Sequence, residues 1–540
     1  MSIGSELTTF AAFVRDLPAF LRKRMTLEEA AAIVRRRMAE RPSNLLSSLD
    51  RGVFGNARSP YLPLLREARC ERGDIERLLG ESGVEATLHT LREAGVFLTF
   101  EEFKGHRPIV RSNVAIRPRP ADFDNPSFRR YYHTTTGGST GAPRRVLMDL
   151  DHFRARLPGA LVLAQCHGVR GLPLVQWAEI PPGHGLEAAV VGVPVGHVPE
   201  RWFTPMWAGS SSPGARFRWA TRAMVHVARR AYPTFPKPEY LPLDRADVIV
   251  RWAEQTLKAR GPCVIRAHVS KALRIAVAAH EMGVDLTGVT ITGGGEPPTV
   301  AKVRQITSAG VRFLPTYFLM EAGPIGFGCT QSNDPNDQHL LLDHLAMIPG
   351  PRHVPAFGVT VDAFYYTTLL PTAPKLMLNV ETDDYGTVES RTCGCPFEEF
   401  GWTTHLRDIR SFSKLTGEGV TLIGGEMERI LEDELPSRFG GSALDYQLVE
   451  EEDERGFTRL TLFIDPRIDI ADEGAVVHAM HDALHRAGGG ADVSRAIWSQ
   501  AGSLRVRRQT PRLSARGKLL PLHAKRKHAA PASPAGGGPA

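Results

Sequence analysis

From residue 267 to residue 316 the chain alternates between two hydrophobic periods, and this restricts the possible folds more than any other feature. Residues 267–282 and 300–309 space their apolar side chains as helices do, whereas 289–292 and 311–316 are short apolar or β-branched runs. Upstream, 174–180 and 188–195 read as further strands. Strands separated by helices of this length predict an α/β fold with layered sheets, because each helix covers a sheet face on its way to the next strand. The flanks have a different texture. Residues 1 to about 115 read as a helical lead-in: Thr26 is an N-cap ahead of Leu-Glu-Glu, the stretch to Met38 is rich in Ala, Arg and Glu, and 74–79 and 85–94 suggest short helices. Beyond a turn-rich segment at 396–408, an acidic helix (424–435), a strand (457–464) and a helix (472–487) suit a small α+β domain. The expected organisation is a large N-terminal domain over 1–408, a small C-terminal domain over 409–527 and a low-complexity, disordered tail over 528–540.

Composition removes several classes. With 540 residues, 42% of them hydrophobic, the chain can bury more than one core. No apolar run approaches about 18 residues, so no membrane span is expected. The opening residues lack a basic segment followed by an apolar core, and six cysteines in so long a chain do not make a disulfide framework. A reducing, cytoplasmic setting is expected. The net charge of +7 is unevenly placed: residues 505–527 carry nine Lys or Arg and no acid, leaving −2 for the rest. No aromatic interleaving or recognised nucleic-acid module accompanies this segment, so nucleic acid is not an expected partner.

Every residue from Thr134 to Gly141 is glycine or bears a hydroxyl. Small residues let a backbone approach an anion, and converging N–H and O–H donors suit a polyphosphate. The spacing is not G-x-x-x-x-G-K-[ST], so this is no Walker A loop.

The wording Thr136-Gly-Gly-Ser-Thr-Gly-Ala-Pro-Arg144 resembles the phosphate loop of the adenylate-forming (ANL) superfamily, with Arg144 where that family usually has Lys. On this resemblance Thr136, Gly137, Gly138, Ser139, Thr140, Gly141 and Arg144 bind ATP. Four more segments follow in the family's order. Thr292-Gly-Gly-Gly-Glu-Pro297 resembles the adenine-lining segment, which implies roles for Gly294, Gly295, Glu296 and Pro297. Tyr317-Phe-Leu-Met-Glu321 resembles Tyr-Gly-x-Thr-Glu, with Tyr317 stacking on adenine and Glu321 ligating Mg²⁺. Glu381-Thr-Asp-Asp384 resembles Thr-Gly-Asp; aligned on Thr382 the ribose carboxylate is Asp384, with Asp383 the alternative. Pro511-Arg-Leu-Ser-Ala-Arg-Gly-Lys518 resembles the C-terminal motif whose lysine is catalytic, here Lys518. The usual hinge is replaced by Arg407-Asp-Ile-Arg410, in which Arg407 would contact the ribose. Phe318 and Met320 depart from the family's Gly and Thr.

Cys329, His339, Cys393 and Cys395 are the residue types of a structural Cys₃His zinc site, four protein ligands leaving no open position. Their placement resembles the phenylacetate–CoA ligase branch. The resemblance therefore implies an ATP- and Mg²⁺-dependent ligase, mobile in its C-terminal domain. It would convert a small-molecule carboxylic acid to an acyl-adenylate and pass it to a thiol, CoA foremost, with structural Zn²⁺ and a possible homodimer. Transfer to a carrier protein, a protein cysteine or an amine, and a nucleotide-binding pseudo-enzyme, are the alternatives. Trp177, His184, His197, Trp202, Phe203 and Trp207 make 174–207 a candidate border of the acyl pocket.

Overall fold

The computed structural model describes residues 3–136, 144–206, 215–296, 298–332, 334, 336–354, 359–411, 414–417, 420–423, 427, 429–442, 445–453, 457–487, 495, 498–512 and 522–524. Among them runs a 12-stranded sheet in the order Leu345–Val354, Val359–Thr368, Val380–Ser390, Thr404–Ser411, Gln338–Leu340, Gly323–Gly328, Arg312–Leu319, Val289–Gly293, Cys263–Ala267, Leu174–Trp177, Arg201–Thr204 and Pro238–Tyr240. The six strands from Arg312–Leu319 to Pro238–Tyr240 are parallel, and the remainder pair antiparallel. This is the layered α/β fold that the alternating periods predict. The parallel strands bury both faces, as crossover helices require. Ile265, Val175 and Ile291 pack with the helices Asp247–Arg260, Val269–Met282 and Val300–Thr307. Val264 and Leu174 face the opposite way, toward Ala164 of the helix Leu150–Cys166.

The lead-in is helical, and its largest core merges with that of the antiparallel half. Thr26 caps the helix Leu27–Ala39 in a capping box with Glu29, one backbone donor satisfied at each end of the box. The two short helices expected at 74–79 and 85–94 are both present within Arg72–Glu93, separated at Gly83, whose φ of 77° is not helical. Asn379 ties the lead-in to the sheet: its Nδ2 donates to Leu88 O (2.8 Å) and Val96 O (3.2 Å).

The strand expected over 188–195 is instead the helix Gly185–Val195. Ten of its eleven residues are buried, so no amphipathic period survives to distinguish helix from strand. Gly196 ends it in the left-handed conformation (φ 71°), a common helix stop. The turn-rich stretch expected at 396–408 holds a short 3₁₀ helix, Pro396–Phe400, and then a strand that runs through 408 to Ser411.

A separate four-stranded sheet, ordered Leu504–Arg508, Thr458–Ile464, Tyr446–Glu452 and Leu522–Ala524, packs on the helix Glu473–Ala487 around its own core. Arg512 N donates to Gln447 Oε1 (2.8 Å) and Gln447 Nε2 donates back to Arg512 O (3.0 Å). Leu522 registers with Leu448 on the same strand. The chain therefore leaves and returns beside adjacent residues on either side of Lys518, which itself lies outside the described residues.

Candidate active site and metal centre

Tyr317 and Asp384 are 67 residues apart in sequence and meet in space. The Tyr317 hydroxyl donates to Asp384 Oδ2 at 2.6 Å. Tyr317 stands on Arg312–Leu319, the last parallel strand, and Asp384 is buried on Val380–Ser390. Burial first, and the adjacent Asp384 carboxylate second, raise the Tyr317 hydroxyl well above its ordinary pKa. It therefore stays protonated and keeps donating. The side chain of Asp383 lies outside what is described.

Glu321 sits just beyond the same strand, and its Oε1 accepts from the Lys104 ammonium at 2.7 Å, both groups buried. Lys104 comes from the lead-in, at the C-cap of the short helix Phe100–Phe103, and lies over the rings of Phe100 and Phe103. Sequence reasoning passed over Lys104. Its only local signal is the capping-box helix before it and Gly105 after it, which says nothing about a partner 217 residues away.

The glycine segment is held by packing. A Cβ on Gly294 would fall inside contact distance of the Thr316 carbonyl oxygen, and Gly295 has φ +83°. Glu296 accepts from the backbone N–H of Ser270 (2.7 Å) and from Lys302 (3.1 Å), so it satisfies an N-terminal donor of the helix Val269–Met282. Gly294→Ala is expected to cost roughly 2 kcal/mol or more, since backbone must move. A denaturant midpoint equal to wild type would refute that reading.

Thr136 and Arg144 close the Tyr131–Thr136 and Arg144–Asp149 hairpin as register partners. Gly137, Gly138, Ser139, Thr140 and Gly141 between them, and Pro297, lie outside the described residues. Thr134 anchors the hairpin by donating to Pro182 O at 2.6 Å. Arg407 pairs with Glu389 at 2.6 Å on the neighbouring strand. The next residue, Asp408, takes φ 52°, sparsely populated for a residue with a Cβ, opposite an irregularity at Tyr385/Thr387.

Cys329, His339, Cys393 and Cys395 converge, with all four ligand atoms within 4.8 Å of one another. Cys329 and Cys393 are 3.6 Å apart at sulfur; His339 Nε2 is 3.7 Å from Cys393 and 3.0 Å from Cys395. A tetrahedral ion with bonds of about 2.3 Å to sulfur and about 2.0 Å to nitrogen needs edges of about 3.5–3.8 Å. His339 Nδ1 donates to Trp402 O (2.6 Å), which fixes the tautomer and leaves the Nε2 lone pair facing the thiols. Hydrogen bonding to Cys395 pulls the Cys329 thiol well below its ordinary pKa, so one thiolate forms readily. The donor set is that of a structural zinc ion; two of these edges match, and the 3.0 Å Cys395–His339 edge would open by about 0.5 Å to hold one.

His167 is buried beside this cluster, its Nε2 donating to Gly328 O at 2.9 Å. Burial is the main cause that pushes its pKa from 6.5 down to about 4. As pH falls, the unfolded chain takes up this proton before the folded state does. The stability linked to His167 is therefore intact above pH 6.5 and is lost toward pH 4, roughly 3 kcal/mol in all. Urea melts across this window should show a shallower pH slope for His167→Gln; equal slopes would refute the assignment.

No protein-family model matches the chain, and no curated protein matches it in sequence. Solved structures do match. A 2-hydroxyisobutyryl-CoA ligase, in complex with 2-HIB-AMP and CoA in the thioesterification state, aligns with a TM-score of 0.54 at 16% identity, over 94% of this chain and 92% of that one. The amide bond synthetase McbA from Marinactinospora thermotolerans aligns at 0.44 and 12%, over 89% and 92%. An o-succinylbenzoate CoA synthetase from Bacillus subtilis, bound with a product analogue, aligns at 0.41 and 12%, over 72% and 67%. This chain shares the fold of that 2-hydroxyisobutyryl-CoA ligase. Among the described residues no helix is long and apolar enough to cross a membrane.

Proposed function

We propose that this chain is an adenylate-forming ligase that activates a carboxylic acid at the α-phosphate of ATP and passes the acyl group to a thiol, CoA foremost. The observation that carries this reading is the Tyr317–Asp384 pair. Two residues that the sequence assigns to adenine and ribose are joined by one hydrogen bond, in a fold shared with an acid–CoA ligase. Asp384, acting with Tyr317, would hold the ribose hydroxyls. Glu321 would offer a hard oxygen toward Mg²⁺, which when bound neutralises phosphate charge, and Lys104 would orient that carboxylate. Thr136 to Arg144 would cradle the leaving pyrophosphate, and Lys518 would stabilise the charge developing between acid and phosphate. Asp408 would act as the backbone pivot that withdraws Lys518 before the thiol enters. Zinc at Cys329, His339, Cys393 and Cys395 would be structural.

ATP–pyrophosphate exchange with a panel of carboxylic acids tests this directly. Exchange should depend on acid and Mg²⁺, and no exchange with any acid despite intact ATP binding would sink the ligase reading. Asp384→Asn should raise the KM for ATP by about 10- to 100-fold, the worth of charge-assisted hydrogen bonds. Tyr317→Phe should raise it less, and an unchanged KM in both would remove the pair from the nucleotide site.

A further inference from the structure

On one face of the parallel sheet a polar row interrupts the apolar core. Gln176, Arg266 and Thr292 are register partners on three adjacent parallel strands, so their side chains share a face. That face looks toward the helices Leu150–Cys166 and Gly185–Val195: Gln176 Nε2 donates to Gly185 O at 2.9 Å, and Val264, two residues before Arg266, packs against Ala164. Three buried polar atoms here have no partner among the described residues: Arg266 Nη1, Gln176 Oε1 and His197 Nδ1.

The charges around them do not balance. Arg156 pairs with Glu187, and Lys271 pairs with Glu179, all four groups well buried. His184 lies within electrostatic reach of Glu179, Lys271, Arg266 and Arg156, so these groups form one cluster. Three cations stand against two carboxylates, and each carboxylate already has its own cation. Arg266 makes no hydrogen bond or ion pair among the described residues. Its pKa is lowered to about 10, with burial the one cause and no acid offsetting it. Arg266 is partly exposed, but its Nη1 is buried without an acceptor, which is unfavourable for a cation, and its planar fork matches a carboxylate.

We propose that Arg266 receives a second carboxylate carried by the acid substrate, so that the preferred substrate is a dicarboxylic acid: one carboxylate is activated and the other is held by Arg266, with the His197 ring N–H donating to it as well. This rests on the ligase reading for the first carboxylate and on the charge imbalance for the second. The Gly-Gly-Gly-Glu segment begins at Gly293, directly after the row's Thr292, so the row ends beside the segment assigned to adenine. Arg266 is a specificity residue in this arrangement.

The test uses the full chain, wild type and Arg266→Met. Aliphatic and aromatic dicarboxylates are compared with their half-amides, which keep size and shape but lose the second charge. In ATP–pyrophosphate exchange, wild type should prefer diacids, and Arg266→Met should lower that preference by about 100-fold, as expected for truncating one side of a buried charged pair. Affinity for ATP alone should not change. Wild-type preference for half-amides, or an unchanged preference in Arg266→Met, would overturn the proposal. Loss of ATP affinity in Arg266→Met with acid preference unchanged would place the guanidinium on the nucleotide and also overturn it.

A second readout does not need turnover. Without ligand, Arg266→Met should melt higher than wild type, because a cation with a buried, unpartnered Nη1 is gone, and diacids should raise the Tm of wild type alone. A variant less stable than wild type would mean that the guanidinium already has a partner in the protein, against the proposal. If no acid supports exchange, the ligase reading fails, while diacid stabilisation that disappears in Arg266→Met still supports the anion site and its absence overturns it.

Discussion

Replacing Cys395 by serine is expected to remove one equivalent of bound zinc and to destabilise the protein by on the order of 3 kcal/mol or more. Cys395 is 3% exposed and its sulfur lies 3.0 Å from His339 Nε2. The four residues come from three places along the chain: Cys329 just after Gly323–Gly328, His339 on Gln338–Leu340, and Cys393 and Cys395 beyond Val380–Ser390. A bound ion would thus cross-link strands whose connections are otherwise long. An alcohol in place of the thiolate loses the soft ligand, and the remaining two thiols and imidazole cannot close a tetrahedron. Elemental analysis of purified protein and a denaturation midpoint measure the two effects. Cys263→Ser, outside the cluster, should leave zinc unchanged. Stoichiometric zinc retained in Cys395→Ser would refute the ligand set.

The second large effect is expected at Lys518. If its ammonium bridges the acid and the α-phosphate, Lys518→Ala should lower adenylation by about 10²–10³-fold, the scale of losing one preorganised donor to developing charge. Thioester formation from a supplied acyl-adenylate should fall far less, because that step does not build charge on the α-phosphate. The described anchors on either side belong to one strand: Arg512 to Gln447 and Leu522 to Leu448. Gln447→Ala removes one anchor while leaving the lysine, and should lower adenylation by a smaller factor. Equal loss of both half-reactions in Lys518→Ala would argue for a general structural role instead.

How far the sequence carried depended on whether a feature was local. The α/β alternation was legible because strand and helix periods are short-range, and Thr26 was legible as a cap because its box spans only four residues. The helix Gly185–Val195 was not, since burial on all sides erased its period. The Cys and His residues could be listed from spacing and family resemblance, but their convergence within 4.8 Å depends on strand order. Lys104 and Arg266 carried no signal of what they face. Each is one cation among 66 until the fold sets the first against Glu321 and leaves the second without an acid.

Asn379 has a consequence for anyone who would cut this chain. It takes φ 49°, its N–H accepts no freedom because it donates to Thr367, and its amide is spent on Leu88 and Val96. Leu98 bridges to Val380 alongside, four residues before Asp384. The helical lead-in is thus a splint for the strand that bears the proposed ribose carboxylate. A chimera joined near residue 115 would exchange that splint along with the helices, so grafts between chains of this fold should be made with the lead-in and the Val380–Ser390 strand taken from the same parent.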